Sequence, residues 1–141
     1  MRVHVIAVPY DSGNYNLRMG AGPERFLHSG VDSRLRDCGY DVYIDCIEAS
    51  GSFRAEIKTS FELYRKLAEQ VSLAYHSDIF PLVLSENCGS CLGTVAGIDP
   101  IQLGIIWFDS HGDLNIPETT ESDFWTGWDW QQRPVFAGGR W

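Results

Sequence analysis

The chain has 141 residues, with 11 Lys and Arg set against 19 Asp and Glu, for a formal net charge of −8. That length fits one domain, which buries roughly two-thirds of the surface its unfolded chain exposes. A hydrophobic content of 44% is ample for such a core and argues against a disordered chain. The acidic balance, without any run of Lys and Arg, argues against a nucleic-acid binder, whose affinity needs clustered positive charge. No apolar stretch approaches the roughly eighteen residues needed to span a bilayer, and the run from Val3 to Val8 is short for a signal peptide. The expectation is a cytoplasmic protein acting on small molecules, with no nucleic acid and no membrane partner. Cys38, Cys46, Cys88 and Cys91 then suit thiols, core residues or ligands better than a disulfide framework.

Val3 to Val8 is β-branched and ends at Pro9-Tyr10-Asp11-Ser12-Gly13, which predicts a buried first strand running into a loop. Gly22-Pro23 then suits the first turn of a helix that continues through Glu24-Arg25-Phe26-Leu27 until Gly30. A second strand fits Tyr40 to Ile47, with Val42, Ile44 and Cys46 alternating against Tyr43, Asp45 and Ile47. From Phe53 to Tyr75 the period changes, and Ile57, Phe61, Tyr64, Ala68, Val71 and Tyr75 share one face of a long amphipathic helix. Pro81 to Leu84 predicts a third strand, Ser85-Glu86-Asn87-Cys88-Gly89 a turn, and Thr94-Val95-Ala96 part of a small-residue helix. Leu103 to Phe108, apolar on both faces, predicts a fourth and central strand. Strands alternating with helices in this rhythm predict an α/β fold, a parallel sheet with helices on both faces. Such sheets place their chemistry at the carboxyl ends of the strands, where both Cys88 and Asp109 fall.

Two clusters carry candidate chemistry. Asp109-Ser110-His111-Gly112-Asp113 can aim two carboxylates and an imidazole at one point if its backbone is extended, a donor set that suits a divalent ion such as manganese. The competing reading is a loop of solvated acids with a capping histidine. Cys88-Gly89-Ser90-Cys91 is a Cys-x-x-Cys pair at a strand-to-helix junction, as in thiol oxidoreductases, and zinc is a further option for it. Here the competing reading is that Cys91, Leu92 and Val95 pack the helix on the sheet.

Three segments resemble the ureohydrolase family, the arginase and agmatinase group. Gly20-Ala21-Gly22-Pro23-Glu24-Arg25-Phe26-Leu27 resembles its early Gly-Pro helix start. Pro81 to Thr94 resembles the strand, Gly-Gly-Asp-His turn and helix that deliver the first metal-binding histidine, and Ile105 to Thr120 resembles the Asp-Ala-His-x-Asp signature with its extension. The resemblance implies a three-layer ureohydrolase fold, of which this chain could form only a part. It also implies a metal-dependent hydrolase of a C–N bond in a linear guanidine or amidine. By position, Asp109, His111 and Asp113 become ligands of a two-manganese site, and Asn115 and Ser122 fall where arginase-type members contact the amino-acid end of the substrate.

The chain departs from the family pattern at several points. Asn87-Cys88 stands where the family has Asp-His, so Cys88 would offer a thiolate that favours zinc, and Thr126 stands where arginases place a proton-shuttling histidine. The second Asp-x-Asp pair of the family has no counterpart, so the chain is expected to be a truncated and catalytically incompetent member, or a non-enzymatic remnant. Its incomplete sheet would expose an edge, which makes homo-oligomers or poor solubility the expectation. Resemblance ends near Gly127. The expected organisation is residues 1–127 as the family part and 128–141 as an unrelated, disordered tail, since Trp128-Asp129-Trp130 and the residues after it follow no helical or strand period. Back-translation allows this tail to be a shifted reading frame of an alanine-rich helix.

Overall fold

The computed structural model of the chain describes residues 1–51, 55–98 and 103–109. Strand β1 (Arg2–Val8) pairs in parallel with β4 (Asp41–Cys46) on one side and β5 (Phe80–Ser85) on the other. With both backbone edges paired, β1 is the centre of the sheet, and every residue after Arg2 is buried. Its alternate side chains feed two cores. Val3 and Val5 cluster with Val42 and with Leu27, Leu35, Leu82 and Leu84, whereas Ile6 and Val8 cluster with Leu63, Leu67 and Val71. Apart from His4, which pairs with Asp45 at 2.7 Å, the strand is apolar on both faces from Val3 to Val8 and needs a helical layer on each side.

Connection handedness explains which helix lies where. From β1 the chain crosses to β4 through α1 (Gly22–His28) and α2 (Val31–Asp37), then from β4 it crosses back over β1 to β5 through α3 (Glu56–His76). Parallel crossovers are right-handed, so reversing the direction of travel puts α3 on the opposite face from α1 and α2. This yields the three layers expected from the alternating pattern. Pro23 in the first turn of α1 has preset φ and no N–H to leave unpaired, and Gly30 at φ 81 lets the chain turn between α1 and α2.

Several elements differ from the sequence reading. Helix α2 was not foreseen, because seven residues with Val31 and Leu35 as their only large apolar side chains are too short to show a period. An i,i+4 pair between Asp32 and Arg36 at 2.5 Å supports it. The segment after β1, expected as plain loop, contains a two-residue antiparallel hairpin, β2 (Tyr10–Asp11) with β3 (Asn14–Tyr15), followed by a 3-10 turn at Arg18–Ala21. In β4, Val42 and Ile47 flanking its far end are buried, but Ile44 and Cys46 are exposed, contrary to the expected alternation. Only β1 pairs with this strand among the described residues, so its outer positions have no neighbour to cover them.

The apolar stripe of α3 is rotated relative to the expected one. Ser60, Leu63, Tyr64, Leu67, Val71 and Ala74 face inward, whereas Ile57 and Phe61 are 56% and 50% exposed and Tyr75 is also exposed. The partner helix sets this rotation. Helix α4 (Ser90–Ala96) lies so close to α3 that a Cβ on Gly93 would sit 2.7 Å from the Tyr64 carbonyl oxygen, and one on Gly97 would sit 2.6 Å from that of Ala68. Small residues turn the line of Tyr64, Leu67 and Val71 into the contact line. The largest difference concerns Leu103 to Phe108, which is not a strand here. Ile106 is 82% and Phe108 95% exposed. A strand apolar on both faces needs hydrogen-bonded neighbours and two covering layers, and in the described residues the sheet ends at β4 and β5.

The turn after β4 is tied to α3 by charge. The Ser50 N–H donates to Glu62 Oε1 at 2.5 Å, and Lys66 Nζ lies 3.1 Å from the same oxygen while donating to the Glu48 carbonyl at 2.6 Å. The Ser50 amide and the Lys66 ammonium hold the Glu62 carboxyl down to about 2, from an ordinary 4.5. A carboxyl with a depressed folded-state value stabilises the fold above its unfolded value and loses that contribution as pH falls toward the folded one. The stability advantage of the wild type over Glu62→Gln should therefore be complete above pH 4.5 and disappear toward about pH 2, as followed by urea unfolding across that range. Gly97→Ala should destabilise by about 1–3 kcal/mol through overpacking against α3, measured as a lower denaturation midpoint.

Candidate metal and substrate site

Strands β1 and β5 are neighbours whose following segments leave for opposite faces, β1 toward α1 and β5 toward α4, which packs on α3. Parallel sheets open a crevice at such a point, beyond the carboxyl ends of the strands. The residues that fill it come from the loop after β1 and the turn after β5. Ser12 adopts φ 57, a left-handed conformation that a non-glycine residue avoids unless it is held. It is held from two sides: Ser60 Oγ on α3 donates to its carbonyl, and Asn87 Nδ2 donates to its Oγ at 3.1 Å. Asn87 also accepts the Gly89 N–H on Oδ1 at 2.8 Å. One amide thus ties the end of β1 to the end of β5 and sets the turn that leads into α4.

The same loop is fastened to α1. The 3-10 turn passes so close to the hairpin that a Cβ on Gly20 would lie 2.7 Å from the Asp11 amide nitrogen, so no other residue fits there without displacing backbone. Arg18 Nε stands 3.5 Å from Asp11 Oδ2, and Asn16 Nδ2 and Tyr15 Oη donate to Glu24 at 2.9 and 3.0 Å. The Glu24 carboxylate raises the Tyr15 phenol above its ordinary value. Beneath the Asn87 bridge, between Ser12, Ser60, Tyr64 and Ser90, the space amounts to about 10 Å³. That is a single water at most, so any substrate must sit above the bridge. Beside it an open cleft of about 410 Å³ is lined by Arg18, Arg25 and Glu86. Two guanidinium groups against one carboxylate make this cleft a poor match for a cationic substrate.

Of the residues singled out from sequence, Cys88 follows Asn87 in the turn after β5 and is half-buried, as its strand-end position implied. Asp109 is exposed, at the end of the 103–108 segment. His111, Asp113, Asn115 and Ser122 lie outside the described residues, as do Thr126 and the segment 128–141. Among the described residues no three His, Cys, Asp or Glu side chains come together in a way that could hold a metal. Sequence reasoning missed the bridging role of Asn87 and the strained Ser12, because the contact spans 75 positions. The only local hint was an Asn immediately before Cys-Gly, a residue that readily caps the turn following it.

A model of the Arginase family matches residues 1–132. Arginase of Bacillus subtilis strain 168 is 34% identical over 134 residues, covering 85% of this chain and 44% of that protein. Arginase of Staphylococcus aureus strain MSSA476 is 32% identical over 133 residues with the same two coverages, 85% and 44%. A crystal structure of the arginase from Bacillus subtilis strain 168 superposes with a TM-score of 0.78 at 29% identity, over 92% of this chain and 46% of that one. The chain thus spans a little under half the length of the curated relatives it matches.

Asn87→Ala should cost about 1–3 kcal/mol, since it strands the Ser12 hydroxyl and the Gly89 N–H at once. Asn87→Asp should cost less, because the Ser12 hydroxyl can turn to donate to a carboxylate. Urea unfolding of both variants checks the order.

Proposed function

The chain belongs to the arginase family, and on that premise we propose that it carries the amino-terminal part of a metal-dependent hydrolase. In this reading the enzyme cleaves a C–N bond of a linear guanidine or amidine. Asp109, His111 and Asp113 are the ligands, two carboxylates and an imidazole that suit manganese. The observation that carries the reading is the family match over residues 1–132, which includes all three. Such ions, held by these residues, would lower the pKa of a bound water and offset charge that develops on the substrate.

The fit is better for one metal position than for the other. Asn87 stands where the family has an aspartate, and both of its polar atoms are already engaged, with Ser12 and with Gly89. Cys88 brings sulfur where manganese favours oxygen or nitrogen. A site short of hard ligands binds a hard ion weakly, because fewer oxygen and nitrogen donors replace the water the ion gives up. Asn115 and Ser122 take the amino-acid end of the substrate, and Thr126 offers no imidazole for the proton that leaves with the product. We assign residues 1–127 to the family domain and 128–141 to a tail, with the family match itself running on to residue 132. The chain by itself binds metal weakly, self-associates in the cytoplasm and does not turn over.

Manganese titration of the full chain under reducing conditions, read by the electron paramagnetic resonance of free Mn²⁺, tests the assignment. Weak binding that disappears in Asp109→Asn and His111→Asn and survives Cys91→Ser is the expected result. Binding indifferent to Asp109 and His111, or zinc lost with Cys91→Ser, would transfer the site to the cysteines.

A further inference from the structure

We propose that Cys88 and Cys91 form a redox-active dithiol that closes to a disulfide on reaction with a small disulfide oxidant. This rests on the turn they occupy and deepens the reading above, since closure would withdraw Cys88 from the strand-end crevice.

The backbone from Asn87 to Leu92 makes three successive i to i+3 bonds: Ser90 N–H to the Asn87 carbonyl, Cys91 N–H to that of Cys88, and Leu92 N–H to that of Gly89, at 3.0, 3.0 and 3.1 Å. Winding of this kind eclipses the side chains of residues three apart. It also brings their Cα atoms within about 7 Å, overlapping the roughly 4.4–6.8 Å that disulfides span. Both residues are thiols in this structure, and both are half-buried, so a small reagent can reach them. The turn is held in place from outside. Asn87 is fastened to Ser12, Ser90 Oγ lies 2.5 Å from Ser85 Oγ, and a Cβ on Gly89 would run into the Tyr64 phenol. Helix α4 meets α3 through Gly93 and Gly97 and buries Ser90, Gly93 and Val95, while Cys91 and Leu92 beside them are half-buried. Cys38 and Cys46 are exposed, and partial burial, then Glu48 and Glu24, push the Cys46 thiol up, which lowers its thiolate fraction.

The chemistry balances as a thiol–disulfide exchange. The thiolate of one cysteine attacks a sulfur of the oxidant, forming a mixed disulfide and expelling one small thiolate. The second cysteine thiolate then attacks the protein sulfur of that mixed disulfide and expels the other. Two electrons pass from the protein to the oxidant, and the two thiol protons end on the two released small thiols.

The test incubates the full chain, stripped of metal, with defined ratios of oxidised and reduced glutathione, followed by acid quench, alkylation and peptide mass spectrometry. The peptide containing Cys88 and Cys91 should lose two hydrogens and take up no alkyl group, while Cys38 and Cys46 are alkylated. Reductant should restore double alkylation. Cys91→Ser should stop at a stable mixed disulfide with glutathione on Cys88. The wild-type measurement decides the matter even if a variant folds poorly. Full alkylation of Cys88 and Cys91 at every ratio, separate glutathione adducts on both without closure, or a disulfide involving Cys38 or Cys46 would each overturn the proposal. None of these readouts depends on manganese, so failure here leaves the metal assignment standing and failure there leaves the dithiol standing.

Discussion

The structure depends on the complete burial of one strand. Once β1 is hydrogen-bonded along both edges, its side chains from Val3 to Val8 have no route to water. Each fully buried valine or isoleucine contributes about 1.5–3 kcal/mol relative to exposure, but only if apolar side chains meet it on its own face. Leu27, Leu35 and Leu82 meet one set, and Leu63, Leu67 and Val71 meet the other. The helices are placed on both faces by that requirement, with crossover handedness deciding which helix goes where.

The crevice follows from the same arrangement. Because the chain leaves β1 and β5 toward opposite faces, the ends of two adjacent strands are left with no helix between them. Polar side chains fill that gap and must satisfy one another. Asn87 does so by bridging to Ser12 and capping its own turn, and Ser60 reaches over from α3 to the Ser12 carbonyl. The unfavourable φ of Ser12 is compatible with the fold because these two contacts over-determine it. The bridge also links the proposed metal position to the proposed dithiol, since Cys88 follows Asn87 directly and Cys91 closes the same turn.

Where the sequence reading succeeded, the signal was local or periodic. The β-branched run of β1, the Gly22-Pro23 helix start and the length of α3 were all legible, as was the parallel α/β class, because each rests on residues within one element. The family was legible through short motifs, and the match over residues 1–132 bears that out. The rotation of α3 was not legible. A stripe through Ile57, Phe61 and Tyr75 is as periodic as the stripe through Ser60, Leu63 and Leu67, and only the close approach of Gly93 and Gly97 selects between them.

The sequence by itself determined which segments are strands and helices where hydrophobic periodicity was strong, and which residue types are available for chemistry at the strand ends. Tertiary structure decided what those segments do. Leu103 to Phe108 has the composition of a central strand, yet it stays outside the sheet, because a strand is made by hydrogen-bonding neighbours and not by its own residues. Asn87 and Ser12 are unremarkable polar residues along the chain, and their bridge exists only because β1 and β5 lie side by side. Periodicity reports the environment a segment prefers, whereas pairing between distant segments decides whether that environment is present.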